Sequence, residues 1–116
     1  MSRRRERPDA GLTGAAPVFF ALGDETRLRL VARLCTEGPL AIATLSAEAD
    51  VSRQAVTKHL HALADAGLVR CRSRGGSRQR LWELRPNRLQ EAQRFLARIS
   101  SEWNGALERL RAFVEE

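Results

Sequence analysis

The stretch SRQAVTKHLHALADAGLV, residues 52–69, decides how this chain is read. Ser52 is a good helix N-cap and Gly67 a good C-terminal stop, so a helix from there to Ala66 is predicted. Ala55, Val56, His59, Leu60, Leu63 and Ala66 form its packed side. Arg53, Gln54, Thr57, Lys58 and His61 fall at offsets 0, 1, 4, 5 and 8, which brings them to one face. Each can donate a hydrogen bond or carry positive charge. Asp65, the one acid, sits at the far end. His59 is expected to pack or to bond the backbone. It stands i, i+2 from His61, so the two diverge around the helix and cannot share a metal. A merely solvated face fits this helix alone equally well; the flanking sequence has to decide.

Upstream, Asp24 is placed to cap ETRLRLVARLCTE (residues 25–37), with Leu28, Leu30, Val31 and Leu34 as its apolar stripe and Gly38-Pro39 as its stop. No capping box is present, because Arg27 stands where Glu or Gln would. A short helix follows over Ala43 to Ala49, then the turn Asp50-Val51. Before them lies a first helix, Ala15 to Leu22, ended by Gly23. Residues 1–14 contain four Arg, a Pro, an Asp and two Gly, and read as a disordered basic arm. That arm could add minor-groove or phosphate contacts, or be a plain solvated tail.

Downstream, LVRCRSR and RQRLWEL are short alternating runs joined across Gly75-Gly76, a β-hairpin. Arg70, Arg72 and Arg74 alternate on one strand, Arg78 and Arg80 on the other. Period-two alternation is expected to gather each set on one face, opposite Val69, Cys71 and Leu81. No acid interrupts Arg70 to Leu81. A charged hairpin is often just an edge defended against pairing. Here it follows two short helices joined by a tight turn, and that combination is a winged helix-turn-helix. The fold class is therefore mainly α with a small β-hairpin. Ser52, Arg53, Gln54, Thr57, Lys58 and His61 are the candidate reading residues. Arg72, Arg74, Gly75, Gly76, Ser77, Arg78 and Arg80 are the candidate wing contacts. In such a unit the second helix enters the major groove, where Arg can bond guanine, Gln adenine, and a Thr methyl can meet thymine.

The last segment carries Leu89, Ala92, Leu96, Ile99, Trp103, Ala106, Leu110 and Phe113, in steps of 3 and 4. That is a heptad seam, widened by Phe95, Leu107 and Val114. The seam needs a partner; a second copy is the economical choice, and packing against the first helix through Val18 and Phe19 is the alternative. Both can hold at once. The expected division is a basic arm over 1–14, a winged helix-turn-helix over 15–86 and a dimerisation helix over 87–116.

Composition agrees with a nucleic-acid partner. The 116-residue chain has a formal net charge of +6 and a pI near 11.1, and nineteen of its twenty basic residues are Arg. Arg makes flat, multi-donor contacts to phosphate and guanine, although a coding bias towards Arg would leave the same mark. No apolar run approaches a membrane span, and two Cys 36 residues apart make neither a disulfide framework nor a zinc pattern. A reduced, cytoplasmic setting follows as the expectation.

The segments FFALGDETRLRLVARL, GPLAIATLSAEADVSRQAVTKHLHALADAGLVRCRSRGG and LWEL together resemble the ArsR/SmtB family of bacterial winged-helix transcription repressors, over about Val18 to Leu84. The resemblance implies a homodimer, joined through first and last helices, that binds an operator near its own promoter and blocks transcription. Two departures matter. Metal-sensing members carry Cys-x-Cys in the helix that here reads IATLSAEA. The family's other metal site takes Asp and His from the terminal helix, which here offers only Glu. Metal sensing is therefore not carried over, and no cofactor is expected. The turn position often filled by Gly is Asp50, a residue that tolerates the left-handed conformation. The terminal segment looks more like that of metal-free members with a Trp-bearing dimer helix.

Cys35 and Cys71 are expected to be small core residues. The competing reading is a thiol switch at Cys71, flanked by Arg70 and Arg72. The pairing of Cys residues on the second and last helices seen in thiol-sensing relatives does not carry over, since this last helix has no Cys. The functional expectation is a homodimeric, sequence-specific DNA-binding repressor on an inverted-repeat operator, with an effector left open. The alternatives are a protein-interaction module using the heptad seam and a thiol-responsive regulator. Nothing in the chain supports an enzyme.

Overall fold

The computed structural model describes residues 12–73, 75, 76 and 78–115. Its elements run α1 (Leu12–Leu22), α2 (Glu25–Glu37), α3 (Ile42–Ala47), α4 (Arg53–Asp65), β1 (Val69–Ser73), β2 (Arg80–Leu84) and α5 (Pro86–Glu115). The two strands form one antiparallel hairpin.

Local chemistry sets the helix boundaries. The Asp24 carboxylate accepts the Arg27 backbone N–H at 3.0 Å and opens α2. That bond holds the Asp24 carboxyl below its ordinary value. Gly38, at φ 83, closes α2 with its N–H on the Leu34 carbonyl. The Ser52 hydroxyl accepts the Ala55 N–H at 3.1 Å and opens α4. Gly67, at φ 81, turns the chain from α4 into β1. Pro86 stands first in α5, where its missing N–H costs nothing.

Several helix boundaries differ from the sequence expectation. Helix α1 starts at Leu12, so residues 12–14, expected in the arm, are helical in spite of Gly14 and Pro17. Packing against α5 outweighs the poor propensity: Ala15 and Val18 are fully buried, and a Cβ on Gly14 would come within 3.3 Å of Glu91 Oε1. Residues 1–11 of the expected arm lie outside the described residues. Helix α3 begins one residue earlier than expected and ends at Ala47. No described non-glycine residue has positive φ, so Asp50 makes the turn without a left-handed conformation.

The core is shared by every helix. Val18 of α1, Leu30 and Leu34 of α2, Leu45 of α3, Val56, Leu60 and Leu63 of α4 and Ala92 of α5 close over Leu68 and Val69. Leu28, expected in the α2 stripe, is half exposed instead. Arg27 ties three elements at once: its Nε donates to the Ala21 carbonyl at the end of α1 at 2.6 Å, and Nη1 lies 3.2 Å from His59 Nδ1 on α4. A guanidinium only donates, so Nδ1 is the acceptor and His59 packs inward through a side chain rather than the backbone. On the other side of α2, Arg33 pairs with Glu37 and reaches the Thr44 carbonyl of α3 at 3.3 Å. The Glu37 carboxyl is held below its usual range by its hydrogen bond from Arg33. Finally, Leu40 adds a short third rung beside β2: its N–H donates to Trp82 O at 3.0 Å, and Trp82 N–H to Leu40 O at 2.8 Å.

Candidate nucleic-acid interface

Helix α4 is held from below by Val56, Leu60 and Leu63. That burial leaves Ser52, Arg53, Gln54, Lys58 and His61 exposed and Thr57 half-buried, a contiguous polar face with no acid in it. The Thr57 hydroxyl donates to the Arg53 carbonyl at 3.0 Å, so its donor is used by its own helix, leaving its methyl and the oxygen's acceptor lone pairs. The structure thus brings all six predicted reading residues onto one face of α4, five of them at its N-cap and in its first half and His61 one turn further on.

The hairpin divides the wing arginines differently from the alternation argument. Its register pairs Arg70 with Glu83, Cys71 with Trp82, Arg72 with Leu81 and Ser73 with Arg80. Directly paired residues share a face. Arg70 and Arg72 therefore share the outer face with Leu81 and Glu83. Arg80 belongs with Cys71 and Trp82 on the face turned towards α4. Leu81 thus shares a face with Arg72 rather than lying on the reverse one, as period-two reasoning on separate strands implied; the strands' relative register was needed. Ile42, Thr57, His61, Cys71, Arg80 and Trp82 line a cleft of about 320 Å³ between α3, α4 and the hairpin. Across it the His61 and Trp82 rings meet, centroids 5.8 Å apart and planes tilted by 54°. Trp82, absent from the predicted site, fixes the hairpin to α4 through this contact and to Leu40 through the backbone.

The outer face also holds an acid that the reading of Arg70 to Leu81 passed over. Glu83 lies just beyond that stretch, but pairing folds it back between two of the arginines. Arg70 Nε donates to Glu83 Oε2 at 2.6 Å, and Arg72 Nε lies 3.2 Å from Oε1. At the tip, Gly75 and Gly76 are exposed, with Gly76 at φ 71, a conformation that suits glycine. Arg78 is exposed nearby; Arg74 and Ser77 lie outside the described residues.

The expected dimer residues divide between one chain's interior and its surface. Val18 and Ala92 are buried within the chain, and Leu89 packs against its core, so these face inward rather than towards a partner. Phe19 meets Phe95 with ring centroids 6.1 Å apart, joining α1 to α5. Beyond that point the seam is bare: Leu96, Ile99, Trp103 (63% exposed), Leu107, Leu110 and Phe113 (76%) stand open on α5, and Phe20 (81%) on α1. Ala106 is half-buried. Cys35 is exposed rather than a core residue, and Cys71 is half-buried. Among the described residues, no three His, Cys, Asp or Glu side chains gather where a metal ion could be held, and no helix is long and apolar enough to cross a membrane.

Comparison with known proteins agrees with this architecture. The family profile of a helix-turn-helix domain matches residues 22–72. An HTH-type transcriptional regulator of Mycobacterium tuberculosis is 41% identical over 87 residues, covering 75% of this chain and 76% of that protein. An ArsR-like transcriptional regulator from Rhodococcus superposes with a TM-score of 0.72 at 33% identity, covering 88% of this chain and 93% of that one. A winged helix-turn-helix DNA-binding domain from Mycobacterium bovis, described as homodimeric, shares the fold with a TM-score of 0.64 at 22% identity over 88% of this chain and 91% of that one. A capped helix with an acid-free polar face, a hairpin anchored beside it and these relatives lead to one assignment: the chain belongs to the ArsR family of winged helix-turn-helix, DNA-binding transcriptional regulators.

Proposed function

We propose that the chain acts as a homodimeric repressor on an inverted-repeat operator. The observation that carries this reading is the polar face of α4. Arg53, Gln54, Lys58 and His61 stand exposed on a helix whose N-terminus is capped by Ser52 and whose other side is locked into the core. Such a helix can enter a major groove, with its N-terminal residues at base edges and its N-terminus near a phosphate. Arg80, on the hairpin face shared with the α4 cleft, and Arg78, Gly75 and Gly76 at the tip add backbone contacts; Arg74 and Ser77 complete that set by sequence.

The second half of the proposal is the dimer. The bare apolar seam from Leu96 to Phe113, joined by Phe20, is a run of large apolar side chains open to water, the kind of exposed surface that marks an interaction site. A second copy covers it symmetrically, and the M. bovis domain of the same fold is described as homodimeric. The working division is then a reading domain that includes α1 and the first turns of α5, and a dimerisation segment from Leu96 onward.

A gel-shift titration with DNA from upstream of the gene, against scrambled competitor, tests the reading. Preferential binding to the upstream fragment is expected, with a steep loss of affinity as salt rises. Equal binding to both sequences would reduce the chain to a nonspecific basic protein. A reporter under the same upstream DNA separates repression from activation.

A further inference from the structure

Glu83 is the acid on the wing's outer face that pairs with two arginines at once, Arg70 at 2.6 Å and Arg72 at 3.2 Å. Its side chain is only 14% exposed, whereas those of Arg70 and Arg72 are 59% and 56% exposed. The half-open arginines thus share a carboxylate that is itself largely sheltered from water. The register makes this arrangement specific: Glu83 is directly opposite Arg70 and diagonal to Arg72, so one acid reaches both. A carboxylate in this place is a competitor for phosphate. It offers one oxygen to each guanidinium, Oε2 to Arg70 and Oε1 to Arg72, as a phosphate would, but inside the chain.

We propose that Glu83 withholds Arg70 and Arg72 from the DNA backbone, and so limits the sequence-independent part of the wing's affinity. The proposal rests on the DNA-binding reading of α4 and the hairpin. Free arginines along the ribbon would bind any duplex through phosphate, adding affinity without adding information. With Glu83 in place, the wing's outward charge is partly neutralised at its base. Arg80 on the α4 side has Ser73 rather than an acid directly opposite it, and Arg78 stands exposed near the tip. Discrimination then falls more heavily on the α4 face. Exposed ion pairs are weak, so the restraint is modest and reversible, a tuning of affinity rather than a block.

The test is fluorescence anisotropy of a labelled scrambled-sequence duplex, titrated with the full chain over a range of salt concentrations. Glu83→Gln keeps the shape of the side chain and removes its charge. It is expected to raise affinity for scrambled DNA about fivefold at low salt, a gain of the size one or two weak ion pairs can mask. The logarithmic salt slope is expected to steepen by about one to two, one unit per arginine released to phosphate. In an Arg70→Ala/Arg72→Ala background the same substitution should leave the slope unchanged. An unaltered slope for Glu83→Gln alone, or an equal steepening in that background, overturns the proposal. Should Glu83→Gln fail to fold, the Arg70→Ala/Arg72→Ala variant decides by itself. A slope matching the wild type supports withholding, and one shallower by about two overturns it, because both arginines would then have been on DNA with Glu83 present. A wild-type chain that binds no duplex at all fails the DNA-binding reading itself, a result distinct from an unchanged slope.

Discussion

On α4, Arg53 and Lys58 carry the same charge yet are expected to act differently. Arg53 stands in the first turn, where side chains reach base edges. Its replacement by Ala should cost about 1–3 kcal/mol on the preferred sequence and relax the preference at one base pair. Lys58, a point charge further along, should on replacement by Ala weaken binding evenly across sequences and lower the salt slope by about one. Binding selections on randomised duplexes separate the two outcomes. Asp24 carries a second prediction at this scale. Its folded-state pKa is depressed by the bond from the Arg27 N–H. The cap therefore adds stability above the unfolded-state pKa and loses it as pH falls through the lower, folded value. Asp24→Asn, which can still cap, should flatten the decline of the urea midpoint below about pH 4, where aspartates titrate. The capping roles of Asp24 and Ser52 were legible in the sequence because a cap is local, set by a residue and the three after it. The Glu83 clamp was not, because it depends on which residue of one strand faces which residue of the other.

At the scale of elements, the hairpin is positioned by Trp82, and its truncation should show it. Trp82→Ala removes the ring against His61 and the side chain paired with Cys71. About 2 kcal/mol of stability should go with it, less than a fully buried aromatic would cost. Amide exchange along β1 and β2 should quicken more than along α2. Leu60→Ala, at a fully buried position on α4, should cost about 3 kcal/mol and shift the thermal midpoint of the whole domain. The helices α2 and α4 were readable from period and punctuation, since Asp24, Gly38, Ser52 and Gly67 mark their ends. The start of α1 was not. Gly14 and Pro17 argue against a helix locally, and the burial of Ala15 and Val18 against the rest of the fold makes one. Alternation likewise gave the hairpin its strands, but not the split that sends Arg80 towards α4 and Arg70 and Arg72 away from it.

For the whole molecule, the heptad pattern of α5 was visible in the sequence, but the point at which it leaves its own domain was not. Leu89 and Ala92 continue the same steps as Leu96 and Ile99, yet the first pair serves the core and the second is bare. Burial by the rest of the fold separates them, and no spacing rule encodes it. The same blindness put Val18, buried within the chain, among the expected interface residues and passed over Phe20, which stands exposed on α1. A charge set into the bare part should therefore break the dimer and spare the domain. Trp103→Glu is expected to elute as a monomer by light scattering while keeping its helical circular dichroism. The most direct measurement of the central claim is a hydroxyl-radical footprint of the wild-type chain on its own upstream DNA. Two reading helices related by a two-fold axis should give two protected segments on an inverted repeat, their centres one helical turn or about 34 Å apart. Protection spread evenly along the fragment, equal on scrambled DNA, would contradict it.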